Sequence, residues 1–332
     1  MFKVIAVGVR EKEFGMYRQI NTEEFGYEIT MYPMDHDIRD PEIYKGGYDA
    51  VISGNNTTVL NDAYFAMLEE NHIRVFIIKM TGYNQIDLDA AKAHNVMIAN
   101  IEAYSPNAIA ELAVGMAMAL NRDFSAYAAK AEALDFTQIP EYPKEIRDCK
   151  VGILGTGHIG MVTASLYKAL GAEVYGFDRF EKEENKAVLT YTTMEEIFRT
   201  CDIVSIHLAY IYGQNDRMIN AEVLSHAQKD LILVNAARGE LVDLQAVVDA
   251  LKEGRIRAFG ADVVEHEKQI FGRKVEEITN DTLKELYALK DRILITPHIG
   301  ANTVRARENQ IRIALKEAKS LCDTGEAPFR II

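Results

Sequence analysis

Three side chains of complementary chemistry stand just past short apolar runs in the second half of the chain. Arg238 follows the run 231–236, Glu267 closes the stretch from Ala261, and His298 follows the run 293–296. A guanidinium can bridge a carboxylate and a carbonyl oxygen, polarising the latter as charge develops. An imidazole near neutral pH can give a proton and take it back. A carboxylate beside that imidazole favours its protonated form and fixes its tautomer. Glu265 competes with Glu267 for this last part, since both lie near the strand end. Singly, each residue has a plain structural explanation: a helix-start arginine paired with Glu240, a solvated loop acid, a packed histidine. Together they amount to an acid/base, an orienter and an electrophile.

A second pattern lies upstream. The apolar run 151–154 leads into Gly155, Gly157 and Gly160. Glycines at this spacing let a strand turn sharply, let backbone approach a pyrophosphate, and let the next helix pack closely on the sheet. The helix follows over 159–170, with Ile159, Val162, Leu166 and Leu170 near helical spacing and Gly171 as its stop. Its N-terminus then faces the phosphates. A second strand, 173–177, ends at Asp178, where a carboxylate can accept from the hydroxyls of an adenosine ribose and repels a 2′-phosphate. The cofactor expected is NAD (NADH), with NADP less favoured; Arg179 beside the acid is the one feature that could accommodate a 2′-phosphate.

These residues need two sheets to position them. Strand signals at 4–9, 27–31, 50–53, 74–79 and 96–99 alternate with helical stretches 61–70 and 87–94. After Gly160 the alternation resumes, with strands at 203–208, 231–236, 259–263 and 293–296 and helices at 194–200 and 244–253. The fold class is α/β, with two doubly wound parallel-sheet domains: a flavodoxin-like first domain and a Rossmann domain. The last helix, 303–324, returns to the first domain, giving boundaries of 1–101 plus 299–332 and 102–298. Short hinges near Glu102 and Ile299 and a cleft between the domains are expected.

A chain of 332 residues suffices for two such domains. With 37 Lys and Arg against 50 Asp and Glu, the net charge of -13 argues against nucleic acid or an anionic membrane as partner. A small anionic substrate then needs a local cationic pocket. The N-terminus reads as a first strand rather than a signal, and Cys149, Cys201 and Cys322 lack zinc or disulfide spacing, so no metal and a cytoplasmic location are expected. The segment 108–120 is apolar nearly all round but too short to span a bilayer. Its small residues suit close helix approach, pointing to a homodimer through the 107–122 helix region. His207, inside an apolar run, reads as a satisfied core histidine.

The order of these motifs, with Ala103 to Glu111 at the domain crossing, resembles that of the D-specific 2-hydroxyacid dehydrogenases, most of all the D-lactate, D-2-hydroxyisocaproate and (R)-2-hydroxyglutarate dehydrogenase branch. The resemblance covers essentially the whole chain. It implies an NAD-dependent oxidoreductase acting on a small 2-keto or 2-hydroxy acid, with Arg238, Glu267 and His298 as its catalytic residues, and it assigns the carboxylate to Glu267 rather than Glu265. It further implies that His158 and Ile159 meet the pyrophosphate through their backbone amides, that Leu208, Ala209 and Asn215 line the adenine and phosphate side, and that Ala236, Ala237 and Asp262 sit near the nicotinamide. Thr81 and Gly82 then hold the substrate carboxylate with Arg238, and Tyr104 edges the pocket. Lys79 stands where relatives usually have Arg, and Ala301 and Asn302 stand where D-lactate enzymes usually place an aromatic pair. A substrate bulkier or more polar than pyruvate is expected. The alternative is an NAD(H)-sensing corepressor-like binding protein without significant turnover.

Overall fold

A computed structural model describes residues 1–55, 58–102, 104–140 and 142–332. The chain falls into two compact units, Met1–Ser105 with Asn302–Ile332, and Pro106–Ala301.

The first unit carries a parallel sheet of β1 (Lys3–Val9), β2 (Glu28–Pro33), β3 (Ala50–Ser53), β4 (Val75–Ile78) and β5 (Met97–Ala99), in the order β2-β1-β3-β4-β5. That order is the flavodoxin-like one. Every residue of β3 and β4 is buried, which explains why their sequences run apolar without alternating: both sheet faces are covered. One face is covered by helix Val304–Thr324, whose Ile311, Ala314, Leu315 and Leu321 cluster with Val4, Ala6, Ile52 and Ile77. Thr303 caps that helix by accepting a hydrogen bond from Ala306 N at 3.2 Å, and Gly325 ends it at φ +71°. Helix Glu13–Ile20 lies on the same face through Tyr17 and Ile20. It carries little apolar signal, and sequence periodicity does not mark it.

The second unit holds β6 (Lys150–Leu154), β7 (Glu173–Phe177), β8 (Thr190–Tyr191), β9 (Ile203–Ile206), β10 (Ile232–Asn235), β11 (Ala258–Ala261) and β12 (Ile293–Ile295), all parallel. Their order is β12-β11-β10-β9-β6-β7-β8. The chain builds outward from β6 through β7 to β8, then returns to the other side of β6 as β9. The strand order therefore reverses between β6 and β9, and ligands of open parallel sheets bind beyond the carboxyl ends at such a point.

Helix Pro106–Asn121 buries Ala113, Val114, Met116, Ala117 and Leu120 against Val151, Ile153 and Ala164 of its own unit. Much of the covering that its apolar composition calls for is therefore intramolecular. Asn107, Glu111, Gly115 and Met118 remain as an exposed stripe at helical spacing. Among the described residues no helix is long and apolar enough to cross a membrane.

Candidate active site

The turn after β6 is built by close backbone approach. Gly155 adopts φ +94°, and a Cβ there would stand 2.6 Å from the backbone of His207 and Leu208, so the loops after β6 and β9 touch at the switch point. A Cβ on Gly160 would stand 1.9 Å from the Gly155 carbonyl oxygen. Only glycine lets helix His158–Ala169 sit this near the strand. Gly157, by contrast, is the residue before that helix, and a Cβ on it meets nothing within 4 Å. That open space lies over the free amides of the helix N-terminus and fits an approaching pyrophosphate.

Asp178, at the end of β7, is oriented by three donors. Its Oδ2 accepts from Thr156 N at 2.6 Å and from Thr156 Oγ1 at 3.2 Å, and its Oδ1 accepts from Phe180 N at 3.0 Å. A carboxylate offers about four acceptor positions, which leaves about one for a ribose hydroxyl. Arg179 is exposed, its guanidinium 5.5 Å from the Phe180 ring centroid.

Beyond β9, Leu208 is half-buried and Ala209 exposed. Both ends of the Asn215 amide are spent on this loop: Oδ1 accepts from Ile211 N at 2.7 Å and Nδ2 donates to Ala209 O at 2.8 Å. Asn215 thus shapes the loop carrying Leu208 and Ala209. His207 is only half satisfied. Its Nε2 lies 2.9 Å from Ser205 Oγ, while Nδ1 is buried without a partner. Burial pushes this imidazole down to about 4, so it stays neutral.

Past β10, a buried residue that the sequence did not single out forms the turn. Asn235 Oδ1 accepts from Ala237 N at 3.0 Å and its Nδ2 donates to Arg238 O at 2.9 Å. Ala236 and Ala237 are half-buried, and Arg238 is exposed, with Nη1 donating to Ala237 O at 2.7 Å. Past β11, Asp262 is buried and turned wholly onto the segment after β12. It accepts from Thr296 Oγ1 at 2.6 Å, Ile299 N at 2.8 Å and Gly300 N at 2.8 Å, and its carbonyl accepts from His298 N at 3.0 Å. This clamp holds His298 at φ +54°, a conformation uncommon for any residue with a side chain.

The imidazole so held meets Glu267, not Glu265. His298 Nδ1 lies 2.9 Å from Glu267 Oε1, and Glu267 Oε2 accepts from Val264 N at 3.2 Å. Glu265 is engaged elsewhere, by Arg217 Nε at 2.8 Å and Leu244 N at 3.2 Å. The Glu267 hydrogen bond and charge hold the His298 pKa above the usual imidazole value, against desolvation and the opposing positive charge of Arg238. A carboxylate on Nδ1 fixes the proton there and leaves Nε2 as the working nitrogen. Among the described residues Nε2 has no partner.

In the first unit, the chain after β4 is anchored by Lys79, whose Nζ lies 2.5 Å from Glu13 Oε2 with both side chains buried. Thr81 Oγ1 donates to Ile101 O at 3.2 Å, and Asn100 Nδ2 donates to Thr81 O at 2.9 Å. The amides of Thr81 and Gly82 meet no acceptor among the described residues, and a Cβ on Gly82 faces open space. Tyr104 packs on the cluster under helix Val304–Thr324, and Tyr83 on the opposite one. Ala103, the first residue of the crossing motif, lies outside the described residues. No group of three or more metal-ligating side chains was found among the described residues.

Residues 114–300 match the family model for the D-isomer specific 2-hydroxyacid dehydrogenase, NAD binding domain. The chain belongs to that family. The dehydrogenase is 31% identical to an aromatic 2-oxoacid reductase of Clostridium sporogenes over 94% of each chain. It is 29% identical to a D-2-hydroxyacid dehydrogenase (NAD(+)) of Clostridioides difficile over 99% of each. Its fold superposes on the D-lactate dehydrogenase of Lactobacillus jensenii, solved with NAD+, at a TM-score of 0.89 and 30% identity, covering 100% of both chains. The dehydrogenase is accordingly an NAD-dependent oxidoreductase acting on the CH–OH group of a 2-hydroxy acid.

Proposed function

We propose that the dehydrogenase acts mainly as a reductase of 2-oxo acids larger or more polar than pyruvate, preferring NADH to NADPH, with Arg238, Glu267 and His298 as its catalytic residues. The observation that carries this reading is the 2.9 Å contact of His298 Nδ1 with Glu267, which leaves Nε2 unpartnered among the described residues. A bound nicotinamide would supply the hydride for C2. His298 holds a proton at Nε2 for the carbonyl oxygen and retrieves it in the reverse direction. Arg238 keeps most of its donors for the carboxylate and that oxygen. The free amides of Thr81 and Gly82 bind the substrate carboxylate, and Tyr104 edges the pocket.

The same reading gives the pyrophosphate to Gly155, Gly157, His158, Ile159 and Gly160, and the ribose to Asp178. It puts Leu208, Ala209 and Asn215 on the adenine side, and Ala236, Ala237 and Asp262 beside the nicotinamide. The small Ala301 and the polar Asn302 support a roomier, more polar substrate site. A homodimer through the 107–122 region and a cytoplasmic location, in keeping with three free cysteines, complete it.

Steady-state reduction of pyruvate, 2-oxoisocaproate, 2-oxoglutarate and phenylpyruvate by the wild type and His298→Gln tests both parts. Pyruvate should not give the highest kcat/KM, and the variant should lose about 10²–10⁴-fold in kcat with NADH binding intact. Unchanged turnover would discard His298 as the acid, and a preference for pyruvate would discard the substrate reading.

A further inference from the structure

The adenosine end of the proposed NAD site carries a chain of largely part-buried hydrogen bonds whose direction follows from the donor inventory. Tyr191, on the two-residue edge strand β8, places its hydroxyl 2.9 Å from Thr156 Oγ1, 2.9 Å from Asn185 Nδ2 and 3.3 Å from Lys182 N. Lys182 N can only donate. The Asn185 group facing Tyr191 also faces the Thr156 carbonyl at 3.3 Å, and a carbonyl only accepts, so that group is the NH2. Both lone pairs of the Tyr191 hydroxyl are then taken, and its single hydrogen must go to Thr156 Oγ1. The Thr156 hydroxyl, accepting from Tyr191, turns its own hydrogen to Asp178 Oδ2 at 3.2 Å.

Every link therefore points one way, from Asn185 through Tyr191 and Thr156 to Asp178. Thr156 is 3% exposed and Asn185 7% exposed, so water does not readily substitute for either. Gly176 makes the room: a Cβ there would stand 3.1 Å from Thr156 Cγ2 and 2.8 Å from Leu189 Cδ1. With Thr156 N and Phe180 N also donating, Asp178 is surrounded by donors on both oxygens. Its oxygens are thereby held as acceptors in one orientation, which suits a ribose hydroxyl.

We propose that Tyr191, Asn185 and Thr156 form a one-way donor relay that sets the discrimination between NAD and NADP by holding the Asp178 carboxylate in place. Tyr191 and Thr156 are positioning residues, and the inference rests on Asp178 being the ribose acceptor. Calorimetric binding of ADP-ribose and of 2′-phospho-ADP-ribose to the enzyme without substrate reads the relay directly. The wild type should favour ADP-ribose. Tyr191→Phe and Thr156→Val should each weaken ADP-ribose by about 3- to 10-fold and narrow the preference, while Thr156→Ser keeps both and the KM for the 2-oxo acid stays put. If both variants retain the wild-type ratio within about twofold, the relay is overturned while Asp178 keeps its role. A wild type with no preference overturns the ribose assignment and the relay together. Should Tyr191→Phe fold poorly, the valine and serine variants at Thr156 decide the matter alone.

Discussion

His298 sits between opposing forces: the Glu267 carboxylate raises its pKa, while partial burial and the Arg238 charge lower it, and the first prevails. Reduction needs the imidazolium, so kcat/KM for the 2-oxo acid should be flat at low pH and fall as pH rises through the raised pKa. Oxidation of the hydroxy acid needs neutral imidazole and should rise over the same range. Glu267→Gln removes the main cause of the shift, so both inflections should move to lower pH and reductive turnover at neutral pH should drop. Paired pH–rate profiles check this, and an unmoved inflection would refute the coupling. The types at these positions were legible in the sequence because each follows an apolar run that ends at a strand's carboxyl edge. Which of Glu265 and Glu267 meets the imidazole was open from the residues alone, because the choice depends on the turn at His266, φ +63°, and on Arg217 capturing the first acid; the family resemblance assigned it to Glu267. Asn235, Thr156 and Tyr191 escaped notice for a related reason: their partners are set by folded geometry, not by any periodic pattern.

At the level of elements, the strand–turn–helix from β6 separates two kinds of glycine. Gly160→Ala drives a methyl group into the Gly155 carbonyl, and overpacking of this sort costs about 1–3 kcal/mol, so its Tm should fall. Gly157→Ala meets no protein atom, so its Tm should match the wild type while NADH affinity drops severalfold. Thermal melts with NADH fluorescence titrations distinguish the two, and equal Tm losses would refute the division of roles. The central strands of both sheets were readable because residues buried on both faces must run apolar, whereas the two-residue edge strand β8 has no apolar run and was not. Helix Glu13–Ile20 was not, since its place is fixed by tertiary contacts: Glu13 is buried only because Lys79 meets it there. The segment 108–120 was readable as a helix, but its apolar character reflects packing in its own unit as well as any interface.

For the whole molecule, the stripe Asn107, Glu111, Gly115 and Met118 is followed in the chain by exposed Phe124, Leu134, Phe136 and Tyr142. Apolar exposure of this kind suits the face of a symmetric dimer. Sedimentation should give a dimer, and Gly115→Arg with Phe136→Glu should give a folded monomer; a monomeric wild type would remove the proposal.

The first unit is made of two pieces of chain, residues 1–105 and 302–332, and this has a bearing on biosynthesis. Val4, Ala6, Ile52 and Ile77 leave the ribosome long before Ile311, Leu315 and Leu321, which cover them. At about 5–20 residues per second, that sheet face waits tens of seconds for its own helix, while the second unit, continuous in the chain, can finish first. The order of completion is thus the reverse of the order of translation. Through that interval only helix Glu13–Ile20 is available to cover that face, so part of the apolar sheet stays exposed on the nascent chain.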